Sequence, residues 1–368
     1  MRVPSPPFEE APKPQPVSET KRPLREVWVI TPSGWAVAQT QLPTVTVLVP
    51  VLNEARYLRT CLDCIFNQDY PPELVEVLVI DGGSTDGTRE IVRAYRHRHP
   101  NLRLLVNPEG VAAAALNRGL QAASGDVIVR VDGHAFIAPD YLRRCVYALE
   151  ATGADAVGGV LHPVGETPTG RAIAAVMAHP LGGGPAPFRQ AQQPVWADTV
   201  YLGAWRKETV HRVGGFNSAL AANEDYEFYY RLRRVGGRVL CDPSIRSWTT
   251  VRRTFGQLWH QYAHYGFWKA QMLKLHPLSL RLRQVPAPLL VFLFWALWLL
   301  GWHMPWASRG ALALLVAYGG VTALLAGELA LRLGWGLWWR LWLAFWVIHW
   351  AWGMGFWRGM FTPLRRGK

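Results

Sequence analysis

Short apolar runs alternate with longer segments of helical periodicity over the first two thirds of the chain. Four runs rich in β-branched residues predict buried strands, and each is followed by a turn and by apolar residues at helical spacing. These runs are residues 45–50, 75–80, 102–106 and 127–131. The repeat of strand, turn and helix predicts an α/β fold in which a mostly parallel, Rossmann-like sheet carries helices on both faces.

The pattern becomes less regular after the fourth strand. Residues 156–160 and 200–205 predict two further strands, and a helix opens at Asn223 with Glu224 and Asp225 in its first turn. Carboxylates at that position suit the helix dipole as well as chemistry, so their place in the helix assigns them no role. Residues 182–193, which are rich in Gly, Pro and Gln, predict a mobile loop of the kind that forms lids.

Three long apolar stretches dominate the last third of the chain. They are residues 285–305, 311–331 and 335–357. Each has about the 20 residues that cross a bilayer, so transmembrane helices are predicted at the C-terminus. The third stretch contains Arg340 and His349. It is therefore read either as a third span or as a re-entrant segment that keeps the basic tail on the cytoplasmic side.

Four segments are predicted from these patterns. Residues 1–43 form a leader, rich in Pro, Lys and Glu and largely disordered at its start, and residues 44–253 form the α/β domain. Residues 254–284 are read as an aromatic and basic helix in the membrane interface, with a core helix of the α/β domain as the alternative. Residues 285–368 form a membrane domain with two or three spans.

The formal charge of +13 on 368 residues raises the question of nucleic-acid binding. The basic residues concentrate before the first apolar stretch and at the tail, and such flanks attract anionic lipid and stay on the cytoplasmic side. We therefore predict contact with membrane lipid and no nucleic-acid partner. Cys61 and Cys64 form an isolated CxxC at helical spacing, which favours buried apolar roles over a metal site.

Candidate chemistry lies where the predicted strands end. The turn Asp132-Gly-His134 exposes a carboxylate and an imidazole, either as a metal site or as an ordinary strand-end turn. The Gly-Gly-Ser turn after Asp81 suits an anion or a nucleotide, because its backbone N–H groups face the ligand. Arg252 and Arg253 suit either a diphosphate or the lipid surface.

The order of these motifs resembles that of the family 2 glycosyltransferases of GT-A fold. The match rests on VPVLNE (49–54), IDGGSTDG (80–87), the acidic turn at Asp132 and Glu224-Asp225. Further segments, including RVDGHA and the late HWAWGMG, are similar to membrane-bound glycosyltransferases of succinoglycan-type exopolysaccharide assembly.

The resemblance implies a role for individual residues. It implies that Asp81 contacts the nucleotide base, that Asp132 binds a divalent cation, Mn²⁺ or Mg²⁺, and that Asp225 is the catalytic base, with Glu224 orienting the site. His134 stands where the family has a second Asp, and an imidazole favours Mn²⁺ over Mg²⁺; alternatively His134 contacts the diphosphate or the sugar. The residues implied to line the nucleotide-sugar pocket are Pro50, Val51, Glu54 and Asn117.

The activity implied is inverting, metal-dependent transfer of a hexose from a nucleotide sugar, UDP-sugars being the commonest donors. The acceptor would be a polyprenyl-diphosphate-linked saccharide, in a multi-pass protein with its catalytic domain on the cytoplasmic side. One alternative is a polyprenyl-phosphate sugar synthase, whose acceptor is the lipid phosphate itself. Another is a non-catalytic, membrane-anchored subunit that binds nucleotide sugars.

Overall fold

The structure, a computed structural model, describes residues 26–31, 34–39 and 42–364. The predicted disorder at the start of the leader and the basic tail residues 365–368 lie outside the described residues. The strands are β1 (Glu26–Thr31), β2 (Gly34–Gln39), β3 (Val45–Val51), β4 (Val75–Asp81), β5 (Leu102–Val106), β6 (Val127–Arg130), β7 (Ala135–Ile137), β8 (Ala156–Val164), β9 (Val195–Trp196), β10 (Tyr201–Arg206) and β11 (Val239–Thr250). The helices are α1 (Leu58–Phe66), α2 (Thr88–Arg96), α3 (Ala112–Ala122), α4 (Tyr141–Thr152), α5 (Pro168–Ala178), α6 (Pro187–Gln190), α7 (Lys207–Val213), α8 (Glu224–Arg234), α9 (Phe255–Leu275), α10 (Pro286–Leu300), α11 (Pro305–Leu333) and α12 (Trp338–Phe361).

Nine of the strands form one mixed sheet. Its first half, in the order β5-β4-β3-β6, is parallel throughout, as the repeat of strand and helix predicts. The second half differs, because β10 runs antiparallel to both β6 and β8, and β11 pairs parallel with β8 but antiparallel with β7 and β9. The expectation of a mostly parallel sheet therefore holds for β3, β4, β5 and β6 but not for the rest of this sheet.

Two apolar cores cover the two faces of this sheet. Alternate residues of β3 lie in different cores: Val45, Val47 and Val49 belong to the first and Leu48 to the second. The first core includes α1 and α4, and the second includes α3 and α8. Side chains of a strand point alternately to opposite faces, so a run that is apolar at every position requires cover on both sides.

The segment read as a mobile loop contains the short helix α6. Two of its side chains donate hydrogen bonds to the end of α5: Arg189 Nη1 to the Met177 carbonyl at 3.1 Å, and Gln190 Nε2 to the Ala178 carbonyl at 2.7 Å. These contacts tie the loop to a helix that also packs on the apolar C-terminal segment.

The apolar stretches form helices α10, α11 and α12. Among the described residues, one helix, α11, is both long and apolar enough to cross a bilayer by length and composition. Helix α10 is apolar but has 15 residues; at 1.5 Å per residue it extends about 22 Å, less than the hydrocarbon core of about 30 Å. Helix α12 has 24 residues and includes Arg340 and Arg358.

Helix α9 packs closely against α12 through glycines. A Cβ atom on Gly266 of α9 would lie 2.0 Å from the Trp352 carbonyl oxygen, and one on Gly355 of α12 would lie 2.1 Å from the Ala263 carbonyl oxygen. Only glycine allows the two backbones to approach this far. The contact joins the apolar C-terminal helices to the segment that follows the α/β domain; the interfacial position of α9 stays a prediction.

Candidate active site

Two loops at the carboxyl ends of β3 and β4 are joined by side-chain hydrogen bonds. The backbone N–H of Asn53 donates to Ser84 Oγ at 2.8 Å, and the N–H of Glu54 donates to Thr88 Oγ1 at 2.9 Å. In return, Asn53 Oδ1 accepts from the Thr85 N–H at 2.9 Å. The two motifs, VPVLNE and IDGGSTDG, therefore form one surface beside Pro50 and Val51, although they are separate in sequence.

Asp81 organises the second of these loops. It is fully buried and accepts hydrogen bonds from the backbone N–H groups of Gly83 (3.2 Å) and Ser84 (3.1 Å) and from Arg89 Nε (2.5 Å). Burial alone raises the pKa of a carboxyl group, but the hydrogen bonds from Ser84 and Arg89 outweigh it and lower the pKa of Asp81. The carboxylate is therefore ionised and holds the loop; its contact with a base stays a prediction.

Asn117, on α3, binds a different loop. Its Nδ2 donates to the Phe216 carbonyl at 2.7 Å, and its Oδ1 accepts from the Phe216 N–H at 2.8 Å. Both ends of the amide thus bind the loop that precedes α8. The structure assigns Asn117 a role in positioning that loop, and contact with a donor stays a prediction.

Arg130, the last residue of β6, connects the two predicted catalytic regions. Its Nε donates to Asp132 Oδ1 at 2.7 Å and its Nη1 donates to Glu224 Oε1 at 3.0 Å. All three side chains are at most 15% exposed. Sequence reasoning missed Arg130; the one available signal was a charged residue inside an otherwise apolar predicted strand.

Asp132 and Asp225 line the same small cavity. Arg130, Tyr229 and the β10 segment around Leu202 complete its wall. The backbone of Leu202 has a φ of +46°; this region is sterically unfavourable for a branched residue and costs on the order of 1–3 kcal/mol. The strained residue coincides with the irregularity in the pairing of β10 with β8.

Asp225 has the electrostatics expected of a proton acceptor. Its burial, and next the charge of Glu224, raise its pKa to about 6, against the opposing effect of Arg130. Asn223, which precedes it, has a φ of +62° and donates from Nδ2 to the Tyr265 carbonyl of α9 at 3.2 Å. The start of α8 is thus fixed against α9, which sets the position of the carboxylate.

His134 is paired with Glu54. The His134 Nδ1 and Glu54 Oε1 atoms are 2.8 Å apart, which joins the turn after β6 to the motif after β3. Burial lowers the pKa of an imidazole, but the hydrogen bond and the charge of Glu54 outweigh it and raise the pKa of His134; Arg252 acts in the opposite direction. Arg252 and Arg253 are both exposed, and Arg253 Nε lies 3.8 Å from Glu166.

The donor atoms at this site fit a divalent cation that is shared with a ligand. Asp132 uses Oδ1 for Arg130, and no described residue donates to Oδ2; His134 uses Nδ1 for Glu54 and leaves Nε2. Within the described part of the chain no group of three His, Cys, Asp or Glu side chains could hold a metal ion. A cation here would therefore need oxygen ligands from a bound phosphate or from water.

Comparison with known proteins identifies the family. The model of glycosyl transferase family 2 matches residues 46–205. The succinoglycan biosynthesis protein ExoA of Rhizobium meliloti is 32% identical over 241 residues, which cover 65% of this chain and 73% of the relative. The chain belongs to glycosyl transferase family 2.

Two other proteins are similar to this chain over most of their length. A dolichyl N-acetyl-α-D-glucosaminyl phosphate 3-β-D-2,3-diacetamido-2,3-dideoxy-β-D-glucuronosyltransferase of Methanococcus voltae is 26% identical over 238 residues, covering 62% of this chain and 74% of that protein. The solved mannosyltransferase PcManGT of Pyrobaculum calidifontis, in complex with GDP-Man and Mn²⁺, is 25% identical with a TM-score of 0.54. The match covers 88% of this chain and 90% of that one. The mixed α/β fold of this family member is thus GT-A-like.

Proposed function

We propose that this protein is an inverting glycosyltransferase that moves a hexose from a nucleotide sugar to a lipid-linked saccharide during assembly of an exopolysaccharide or another cell-envelope glycan. The observation that carries the proposal is the shared cavity of Asp132 and Asp225, two carboxylates from distant parts of the chain. Arg130, which also lines the cavity, binds Asp132 and the neighbour of Asp225 in the sequence, Glu224. The similarity to a succinoglycan biosynthesis protein and to a mannosyltransferase solved with GDP-Man and Mn²⁺ supports it.

In the proposed reaction, Asp225 accepts the proton of the acceptor hydroxyl while the hydroxyl oxygen attacks the anomeric carbon. Attack from the face opposite the nucleotide inverts the anomeric centre. Glu224 and Asp132 are held on either side of Arg130, so the guanidinium fixes the distance between the base and the donor side of the cavity. A divalent cation at Asp132 would stabilise the charge on the departing diphosphate.

The same proposal places the chain in a membrane. Helices α10, α11 and α12 form the membrane domain, with the α/β domain of residues 44–253 on the cytoplasmic side and α9 in the interface. The apolar surface of α10 and α11 supports this, since Phe292, Trp295, Leu312 and Leu324 are exposed. Protease access to a C-terminal tag in intact cells tests the number of spans.

The activity is tested by incubating membranes that contain the full chain with a panel of radiolabelled nucleotide sugars. We expect label from one donor to enter the lipid fraction in the presence of Mn²⁺. Release of an oligosaccharide by mild acid would support a lipid-linked saccharide acceptor. Release of the single labelled sugar would support the polyprenyl-phosphate sugar synthase, and nucleotide binding without turnover from any donor would support the non-catalytic subunit.

A further inference from the structure

A group of five charged side chains lies where α8, α9 and the segment leading into α10 meet. We call it the Asp198 cluster; it consists of Asp198, Arg233, Lys269, Arg281 and Arg283. Asp198 Oδ2 accepts from Arg283 Nη2 at 2.6 Å and from the Tyr226 hydroxyl at 3.2 Å, and it lies 3.4 Å from Arg281 Nε. The cluster thus contains one carboxylate and four basic side chains, two of which, Arg281 and Arg283, contact the carboxylate.

The positive charge of the cluster is incompletely compensated. Lys269 is 2% exposed; its ammonium group donates to the Ser279 carbonyl at 3.1 Å and lies 4.1 Å from the centre of the Tyr226 ring. Burial lowers its pKa to about 7; Asp198 opposes this effect and the neighbouring arginines add to it. Burial and the charge of Arg281 likewise lower the pKa of Arg233. The surplus of positive charge around the buried Lys269 is unfavourable unless an anion joins it, and Arg281, at 43% exposure, opens the cluster to solvent.

One hydrogen-bond donor of the cluster and one beside it are left without partners. Arg233 Nε and Ser279 Oγ are both buried and have no hydrogen-bond partner within the described structure. Burial of such donors without a partner is unfavourable, so both are available to an acceptor that enters the cluster. A phosphate group has several acceptor oxygens and the negative charge that the cations require.

The cluster lies beside the proposed membrane surface and includes a residue of α8, the helix that carries the predicted catalytic base. Arg283 is three residues before Pro286, the first residue of the apolar helix α10. Tyr226, which contacts both Asp198 and Lys269, directly follows Asp225 in α8. An anion in the cluster would therefore stand near the start of α10, where the lipid headgroups are proposed to lie, and beside α8, the helix that carries Asp225.

We propose that the Asp198 cluster binds the phosphate group of a lipid, with Arg233, Lys269, Arg281 and Arg283 as its cationic contacts. The inference rests on the proposed membrane location. If the lipid is the glycan carrier, the cluster positions the acceptor while the saccharide reaches Asp225. Arg252 and Arg253, which precede α9 and lie outside the cluster, then remain available to the donor.

The test measures equilibrium binding of radiolabelled farnesyl diphosphate to the full chain in dodecylmaltoside micelles with EDTA, so that cation-dependent binding at Asp132 does not contribute. The double variant Arg281→Gln, Arg283→Gln should weaken binding roughly tenfold or more, because two charge-assisted contacts are lost. The control, Arg309→Gln with Arg332→Gln, removes two exposed arginines of α11 outside the cluster and should leave binding unchanged. Equal affinity of the test and control variants would overturn the proposal.

A second variant distinguishes an anion site from a structural role of the arginines. Asp198→Asn removes the competing carboxylate but keeps an acceptor for Tyr226, so it should tighten binding several-fold. Weaker binding by this variant would mean that the arginines serve Asp198 itself, and would overturn the assignment. Thermal unfolding of each variant checks that the chain stays folded.

Competing ligands identify the source of the phosphate. Farnesyl diphosphate that outcompetes phosphatidylglycerol would support the carrier lipid, whereas equal competition would assign the site to bulk phospholipid and keep the proposal of a lipid phosphate. Inorganic pyrophosphate binding as tightly as farnesyl diphosphate would overturn the lipid assignment. The binding assay measures no turnover. Its result can therefore be interpreted even if the proposed transferase activity is not found.

Discussion

Arg130 and Glu224, which lie 94 positions apart in the chain, are joined by a hydrogen bond of 3.0 Å between Nη1 and Oε1. The same guanidinium binds Asp132 through Nε. Strand β6 and helix α8 are thereby linked at the cavity that Asp132 and Asp225 share. Because the guanidinium is planar and rigid, it fixes the separation of its two partners better than a lysine can.

Replacing Arg130 tests this link. Arg130→Met leaves two nearly buried carboxylates without their cation, which should lower the free energy of unfolding by about 3–5 kcal/mol, as for other broken buried ion pairs. Arg130→Lys should restore much of the stability but little of the transfer activity. As a control, Arg93→Met removes an exposed pair with Glu90 and should change stability by less than about 1 kcal/mol. Equal effects at both sites, measured by chemical denaturation, would contradict the role of Arg130.

The predicted base is tested by Asp225→Asn. The amide has the same shape but cannot accept the proton of the acceptor hydroxyl, so transfer should fall by about 10²–10⁴-fold. Nucleotide-sugar binding should be unchanged in an equilibrium assay. The exposed Glu90→Gln serves as control. Turnover retained by Asp225→Asn would remove Asp225 from the mechanism.

The pH dependence of transfer follows from the same carboxylate. Asp225 must be ionised to accept a proton, and its pKa is raised to about 6 by burial and by Glu224. The rate should therefore be constant above that value and should fall about tenfold per pH unit below it. The measurement is kcat/KM between pH 5 and 8 with saturating cation. The residual rate of the Asp225→Asn variant should not show this fall at low pH.

Removal of divalent cations should stop transfer, and added Mn²⁺ should restore it. Asp132→Asn should raise the Mn²⁺ concentration needed for half-maximal rate by roughly tenfold or more, since one amide oxygen replaces an ionised ligand. His134→Asn should have the smaller effect, because it replaces a single ring nitrogen, Nε2, whereas Asp132→Asn also removes a negative charge. A transferase that works at full rate in EDTA would rule out the proposed cation.

The contact between α9 and α12 predicts different tolerance for two glycines. Gly355→Ala places a Cβ 2.1 Å from the Ala263 carbonyl oxygen, so the helices must separate; overpacking of this kind costs about 1–3 kcal/mol. Gly320→Ala in α11 meets nothing within 4 Å and should be neutral or slightly stabilising. Thermal unfolding in detergent distinguishes the two, and similar shifts would show that the close contact is unimportant.

Local sequence pattern was sufficient for the first half of the fold. The strands β3 to β6 and the helices between them follow from apolar runs and helical periodicity, and their parallel order follows from the helical crossovers. The turn at Asp132 and the helix start at Asp225 were also recognisable, because strand ends and helix starts carry local signals.

The second half of the sheet was not predictable in the same way. Strand β11, with 12 residues, went unrecognised because it contains Asp242, Pro243 and Arg246 and pairs with β7, β8 and β9 in both directions. Such pairing depends on which edges meet in space, a property that no local window contains.

The sequence by itself thus determined the elements from β3 to β6, the family and the identity of the candidate carboxylates. Only the tertiary structure decided which partner each polar side chain binds. Asn117 binds the loop before α8, His134 binds Glu54, and Arg130 binds both Asp132 and Glu224. The physical reason is that hydrogen bonds and ion pairs act over a few ångströms. Apart from Arg130 and Asp132, which are two positions apart, these partners are separated by 80 to 99 positions in the chain, so folding alone brings them within reach.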